Sequence, residues 1–565
     1  MRRRRILCGS SCLGATVLLV TLFAPALPLS PESRLHAQAS TCRVTTGLGD
    51  VQGVAQPGAC AYLGVPYAAS PIGNMRWRPP QPRAPWAPTV LNATVAAPIC
   101  FQINLAGENS GNEDCLTLNI WTPAVAPARD PLPVMVWLHP GAFVAASSNF
   151  PPANGRRFAA EAGAVVVAPN YRLGAFGFLS LRRLAEEDPG YRSAGNYGLA
   201  DQRAALQWVR DHIAAFGGDP NTVTLAGTSA GGISTGLQLV SPGSRGLFQR
   251  AIIQSGSPTT RLNTAAEAEA QGEAFAAALD CPDGPGRLAC LRGKTREQVL
   301  RALMVTGLTG GPQTILEQAG RVGWDPVVDG LELPDQPREL YRRGLFARIP
   351  LIIGRNRDEG WTFVDRPFPS GLDALQYERV VQTEYGMDAA AILRMYPASS
   401  FAAAKDALAQ LTTDVEYACE VRRLARFMHH DGAPVYVYSL EYAVDAVTPG
   451  RAYHGLDMNL LFGNNFAAPS NHVLNAQDLV VFNAISTYWR RFMETGDPNP
   501  RGVPVQWPPY RPGPFDPPVE PSRSDAHFVF GDRLGVANYL RDSACNFWEP
   551  FFFRTVVGAV PATAR

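Results

Sequence analysis

The chain is 565 residues long with a formal charge of +1. Residues 1–39 hold five arginines and one glutamate, so the rest carries 45 basic against 48 acidic residues and is close to neutral. With no basic patch or charged tail, that balance excludes nucleic acid and anionic membrane surfaces as expected partners. It leaves a small, mostly uncharged molecule or another protein.

At the N-terminus, Arg2 to Arg5 precede an apolar stretch from Ile6 to Leu29 that is interrupted by Pro25 and Pro28, and Ala37-Gln38-Ala39 supplies small residues at cleavage-site spacing. This pattern predicts a secretory signal peptide cut after Ala39, hence a secreted or periplasmic protein without stable membrane insertion after processing. An uncleaved anchor is the competing reading, since the stretch is long enough to span a bilayer. Beyond the signal segment eight cysteines remain, an even number in an exported chain with no Cys-x-x-Cys, which predicts disulfides and no metal site. Cys100 with Cys115, and Cys281 with Cys290, would each close a short loop.

Length alone suggests about four domains, yet nothing between residues 40 and 565 reads as a linker, and the regular elements argue for one large unit. Apolar runs flanked by turn residues recur at Pro133 to Leu138, Ala164 to Ala168, Thr222 to Ala226, Arg250 to Ser255, Ile349 to Ile353 and Val435 to Leu440. Runs that are apolar on both faces suit central strands covered by helices. Helical patterns alternate with them, including Ala200 to Ala215, Ala265 to Ala278 and Leu479 to Glu494, the last closed by Gly496 and Pro498. The alternation predicts an α/β architecture around a large, mostly parallel sheet.

In chain order, the first strand of chemical interest, Val134 to Leu138, runs into His139-Pro140-Gly141-Ala142-Phe143. The backbone N–H groups of Gly141 and Ala142, with that of Ala230 further on, are candidates for an oxyanion hole. Pro140 has no N–H to give.

The next is Thr222 to Ala226, followed by Gly227-Thr228-Ser229-Ala230-Gly231 and a helical segment. Strand, sharp turn and helix around Gly-x-Ser-x-Gly form a nucleophile elbow, in which glycines two before and two after the serine avoid collision. The same five-residue pattern recurs at Gly232 to Gly236, but Ser234 has no strand before it and falls inside the helix. Its expected role is packing or a bond back to the helix carbonyls.

Thr259 to Gly323 lacks strong strand runs and reads as a helical insertion, either a wall over the site or a surface excursion. Beyond the strand Ile349 to Ile353 come Asp358 and Glu359, at the end of the sheet where ligand crevices open. Either is a candidate to orient a catalytic histidine, and the residues alone leave that choice open. Trp361 and Phe363 follow, as pocket walls or as core packing.

Of eight histidines, His454 stands apart, in the loop Arg451 to Asp457 far from Ser229 in sequence. His212, His429 and His430 fall in helical patterns, and His472 and His527 have no motif around them. The order serine, acid, histidine is that of α/β-hydrolases. The proline-dense stretch Pro504 to Pro521 is read as an ordered surface loop.

Other chemistries find little support. Neither lysine, Lys294 or Lys405, follows a serine by three positions, Gly293-Lys294-Thr295 lacks the upstream glycine of a phosphate loop, and no metal-ligand spacing appears. No cofactor and no metal is expected.

These pieces together resemble the type-B carboxylesterase and lipase family, which includes the cholinesterases, over nearly the whole chain after residue 39. The likeness is carried by Gly64-Val65-Pro66-Tyr67-Ala68, Asn74-Met75-Arg76-Trp77, Glu113 to Trp121 (Glu-Asp-Cys-Leu-Thr-Leu-Asn-Ile-Trp) and Asn170 to Phe178 (Asn-Tyr-Arg-Leu-Gly-Ala-Phe-Gly-Phe). Gly198 to Arg203, Phe216 to Pro220 and Gln254 to Ser257 extend it.

The resemblance implies an α/β-hydrolase fold and a secreted serine hydrolase of carboxylic esters, with Ser229, Glu359 and His454 as the triad and an acyl-enzyme intermediate. It selects Glu359 over Asp358, places Ser255 and Asp457 behind the triad, and pairs Arg76 with Glu113 and Arg172 with Asp201. It further implies disulfides Cys100–Cys115, Cys281–Cys290 and Cys419–Cys545, leaving Cys42 with Cys60.

The chain departs from the family at Thr228, where a glutamate is usual, and at Pro140, where the first glycine of the oxyanion loop is usual. The segment between Cys100 and Cys115 contains no tryptophan, so a cation platform for choline esters is not expected. Two alternatives accompany the esterase reading: a non-catalytic adhesion protein of the same fold, and a hydrolase of polyesters, lactones or amides.

Overall fold

The structure is a computed structural model that describes residues 42–103, 107–124, 130–305, 323–466, 470–512 and 525–554. The expected signal segment and its cleavage site lie outside the described residues. Among the described residues, eleven strands form one sheet: β1 (Val54–Gln56), β2 (Ala59–Pro66), β3 (Thr117–Pro123), β4 (Leu132–Leu138), β5 (Val165–Pro169), β6 (Gly218–Thr228), β7 (Arg250–Gln254), β8 (Leu351–Asn356), β9 (Val435–Leu440), β10 (His527–Phe530) and β11 (Leu534–Ala537). Across the sheet the order is β11-β10-β9-β8-β7-β6-β4-β5-β3-β2-β1.

The run from β10 to β5 is parallel throughout, and antiparallel pairing is confined to the two edges. This is the α/β-hydrolase arrangement, and the apolar runs explain it. In β4, Val134, Val136 and Leu138 enter the core on one face while Met135 and Trp137 enter the core on the other. The same alternation continues in β7, with Ala251 and Ile253 against Ile252, and in β8, with Leu351 and Ile353 against Ile352. A strand apolar on both faces is stable only where helices cover both, which fixes these strands at the centre of a sandwich.

Four helices position the site: α1 (Ala230–Val240), α2 (Glu359–Asp365), α3 (Leu456–Phe462) and α4 (Ala476–Thr495). The segment after Thr259 contains helices Ala265–Ala278, Arg287–Gly293 and Arg296–Val305, the first opened by a capping box of Thr264 and Glu267. A two-residue parallel pairing of Asn263–Thr264 with Val327–Val328 ties its ends together; residues 306–322 lie outside the described residues. The proline-dense stretch is described only as far as residue 512, where it has no regular secondary structure.

Bridges join Cys42 to Cys60, Cys100 to Cys115, Cys281 to Cys290 and Cys419 to Cys545. Arg172 and Asp201, both buried, form a two-pronged pair with both contacts at 2.8 Å, and Arg76 meets Glu113 in the same manner at 2.7 and 2.5 Å. Among the described residues, no helix is long and apolar enough to cross a membrane.

Candidate active site

Ser229 stands between β6 and α1 with φ 57° and ψ −123°, a conformation that L-residues avoid and that persists only where the surroundings impose it. Its N–H donates to the Gln254 carbonyl at 2.9 Å, which fixes the turn to the end of β7. The flanking glycines are a steric requirement. A Cβ on Gly227 would lie 2.3 Å from the Gly231 carbonyl oxygen, and one on Gly231 would lie 2.0 Å from that of Leu138. Ser234 is buried inside α1, where its hydroxyl accepts from the Gln202 amide at 3.0 Å. The bond runs to a neighbouring side chain and not back to the helix carbonyls.

Two loops meet beside this turn. Asp358 N–H donates to the Ala452 carbonyl and Ala452 N–H to the Asp358 carboxylate, each at 2.9 Å, so the segment after β8 is clipped to the segment before α3. Asp358 spends its remaining capacity on Arg357 and Arg451. Glu359, one residue on, turns inward and is fully buried. Its Oε1 accepts from Ser255 Oγ at 2.5 Å and from the Asn356 N–H at 2.6 Å, and its Oε2 lies 2.5 Å from His454 Nδ1. A carboxylate on Nδ1 favours the tautomer with the proton there, leaving Nε2 as the base.

The imidazole of His454 is held sideways as well. Phe363 and Tyr417 place ring centroids 5.0 and 5.1 Å from it, and its backbone N–H reaches Thr362 Oγ1 at 3.3 Å. Trp361 takes no part in this and lies between the charged ends of Lys405 and Arg451, at 4.6 and 4.5 Å. Sequence reasoning missed Tyr417, Thr362 and Asn356, whose surroundings carry no motif; folding brings the first two to the histidine and sets the third against Glu359 and Asp457. Among the described residues no hydrogen bond joins Ser229 to His454, a contact that often tightens only when substrate is bound.

Behind the acid, Ser255 itself has φ 51°, the strained backbone that aims its hydroxyl at Glu359. Asp457, at the start of α3, accepts from Tyr438 OH at 2.5 Å, from Asn356 Nδ2 at 3.3 Å and from the Met458 N–H at 2.9 Å. Burial, reinforced by the Glu359 charge, pushes its carboxyl up from 3.8 to about 6. The folded chain therefore holds this proton more tightly than the unfolded chain, and Asp457 makes stability fall as pH rises from about 4 to about 6, by about 3 kcal/mol in total. Asp457→Asn removes that dependence. In urea unfolding from pH 4 to 7, the stability of the variant relative to wild type is expected to improve by about that amount across the window, and a pH-independent difference would show that Asp457 does not titrate there.

The loop after β4 is the third component. Gly141, Ala142 and Phe143 are successive residues with positive φ, at 117°, 50° and 59°. A Cβ on Gly141 would come 2.1 Å from the Ala145 carbonyl oxygen, whereas the Gly141 carbonyl collects the N–H groups of both Val144 and Ala145 at 3.0 Å. His139 anchors the loop by stacking on Tyr171 at 4.2 Å, and Tyr171 OH donates to the His139 carbonyl at 2.8 Å. Burial pushes the His139 imidazole down to about 4, so it packs as a neutral ring. The Gly174 N–H donates to the Phe143 carbonyl at 2.8 Å, which buttresses the loop from the Asn170 to Phe178 segment.

Among the described residues the N–H groups of Gly141 and Ala142 meet no acceptor. That of Ala230, as the first residue of α1, has none within the helix. Beside this loop Phe101, Val144, Leu173, Phe176, Leu300 and Trp324 line an apolar cavity, so the segment after Thr259 contributes to its wall. Among the described residues no cluster of His, Cys, Asp and Glu side chains is placed to hold a metal ion.

Comparison with known proteins supplies the remaining finding. The sequence pattern of the carboxylesterase family matches residues 40–548. The chain is 33% identical over 479 residues to a para-nitrobenzyl esterase of Bacillus subtilis (strain 168), covering 83% of this chain and 92% of that protein. It is 32% identical over 555 residues to a fumonisin B1 esterase of Sphingopyxis macrogoltabida, covering 96% and 95%, and 31% identical over 539 residues to carboxylesterase 1D of Rattus norvegicus, covering 88% and 90%.

Proposed function

The chain belongs to the carboxylesterase family and is a carboxylic ester hydrolase, and on that premise we propose that Ser229, His454 and Glu359 perform the hydrolysis through an acyl-enzyme. The observation that carries this reading is the 2.5 Å contact between His454 Nδ1 and Glu359 Oε2, beside a strained serine turn. His454 Nε2 takes the proton of Ser229 Oγ as that oxygen attacks the ester carbonyl carbon. The carbonyl oxygen gains negative charge facing the N–H groups of Gly141, Ala142 and Ala230, and losing one such donor typically costs about 10² to 10³ in rate.

Collapse of the tetrahedral adduct expels the alcohol with the proton from His454. Water, activated by the same imidazole, then releases the acid and restores Ser229. Glu359 accepts from Ser255 and Asn356 and steadies the imidazole through Nδ1. Ser255 and Asp457 act by positioning it.

The substrate is a carboxylic ester of a small molecule, as the esterase relatives suggest. Residues 40–565 act as one hydrolase domain, and residues 1–39 as an export signal, a location that the four bridges suit. A fluorophosphonate probe tests the nucleophile: the expected result is one adduct per chain, mapped by peptide mass to Ser229, with activity lost in parallel. Inactivation with the adduct on any other residue would overturn the assignment.

A further inference from the structure

Tyr417 sits in an unusual piece of backbone. The helix Ala404–Thr413 passes into the helix Cys419–His430 through a single π turn, Asp414–Ala418, a wide geometry that is rare, occurs mostly as one-turn insertions and is frequent at functional sites. The turn is fastened on both sides. Asp414 receives Arg541 at 2.7 and 2.6 Å and Tyr396 OH at 3.0 Å, Thr413 Oγ1 accepts the Gly360 N–H at 2.9 Å, and Cys419 is bridged to Cys545. What this fixed turn carries to the site is the ring of Tyr417, one of three that meet there, with His454 and Phe363, at centroid distances of 5.0 to 6.0 Å.

The hydroxyl on that ring is unspent. Buried tyrosines elsewhere donate to carbonyls, Tyr67 to Asn170, Tyr171 to His139 and Tyr341 to Gly236, at 2.7 to 2.8 Å. Tyr417, only 6% exposed, has no hydrogen-bond partner among the described residues, and its hydroxyl is not sealed from solvent as that of Tyr197 is. Its neighbour defines the space beside it. Glu359 closes the Nδ1 edge of His454, Phe363 and Tyr417 cover its flanks, and 11% of the side chain is left exposed, so the open edge is that of Nε2. Burial, reinforced by the Glu359 and Glu416 charges, pushes the Tyr417 phenol well above its ordinary value. It is a donor that keeps its proton.

We propose that the Tyr417 hydroxyl donates a hydrogen bond to the alcohol oxygen of the ester as that oxygen departs, which suits the site to esters of aliphatic alcohols. The inference rests on the assignment of His454 as the group that protonates the departing alcohol. When the carbon–oxygen bond breaks, its electron pair stays on the alcohol oxygen, the proton comes from His454 Nε2, and Tyr417 retains its own. An aliphatic alcohol oxygen concentrates the developing charge on one atom, whereas p-nitrophenoxide spreads it over a ring, so a donor at this place assists the first far more than the second. A bond that strengthens as charge develops acts on the transition state.

Values of kcat/KM for p-nitrophenyl, phenyl and ethyl butyrate in wild type, Tyr417→Phe and Tyr417→Leu test it. Phenylalanine keeps the ring against His454 and removes the donor, so the ethyl ester is expected to lose about tenfold more than the p-nitrophenyl ester, with the phenyl ester between them. Leucine removes the ring as well, and its losses should exceed those of phenylalanine for all three esters. Equal losses for the three esters in Tyr417→Phe, no loss in any, or a wild type that does not turn over ethyl butyrate would overturn the proposal. Fluorophosphonate labelling of the same proteins separates the two readings. With the adduct on Ser229 in each, those outcomes refute the role of Tyr417 alone, and an adduct elsewhere in the wild type refutes the triad on which that role rests.

Discussion

Replacing Ser229 by alanine should lower the turnover of a short p-nitrophenyl ester by on the order of 10⁵ to 10⁶, whereas Ser234→Ala should leave it within about threefold of wild type. The contrast is informative because both serines satisfy the same five-residue pattern. Ser229 occupies a turn where a strand end, a positive φ and two glycines without room for a Cβ coincide. Removing its hydroxyl keeps both flanking glycines and takes away only the atom proposed to attack. Ser234 is buried under Gln202, so its loss leaves an amide donor without its acceptor, at a cost of about 1 to 3 kcal/mol in stability. A thermal midpoint that drops for Ser234→Ala and holds for Ser229→Ala would complete the separation. Equal loss of turnover in both variants, or loss in neither, would sink the nucleophile assignment.

That contrast also shows what can be read from this chain without its fold. Central strands are legible because burial on both faces demands continuous apolar runs, so Val435 to Leu440 coincides with β9, and Ala265 to Ala278 coincides with its helix. Ends are less legible. The run from Thr222 extends back to Gly218 in β6, because Gly218 itself pairs with Leu132, ahead of a break in register before Val223. The run expected from Ile349 starts at Leu351, since Pro350 has no N–H to give a ladder.

At the site, the glycine spacing around Ser229 follows from steric need and is visible in sequence. The neighbours of His454 are not. Phe363 and Tyr417 lie 54 positions apart and become a pair only because α2 and the helix preceding Cys419 converge on the imidazole. Asp358 and Glu359 could not be separated by local pattern, as adjacent residues point to different surroundings according to where the chain turns.

The same pair supports the second large effect. Glu359→Gln should reduce kcat by about 10⁴ with little change in KM, and Asp358→Asn by less than about tenfold. Glutamine keeps the volume of the buried side chain and can still accept from Ser255 and Asn356 through its carbonyl. Its amide then faces His454 Nδ1 with N–H groups, which favours the tautomer that carries the proton on Nε2, where a base is required, and provides no charge for the imidazolium to lean on. In the proposed mechanism the imidazolium exists only as the serine attacks, so the loss is expected to fall on the transition state and not on ester binding. Asparagine at 358 retains an oxygen for the Ala452 N–H, so the clip between the two loops survives and only the Arg357 and Arg451 pairings weaken. Turnover retained in Glu359→Gln and abolished in Asp358→Asn would reverse the roles of the two acids, and with them the path by which His454 is held.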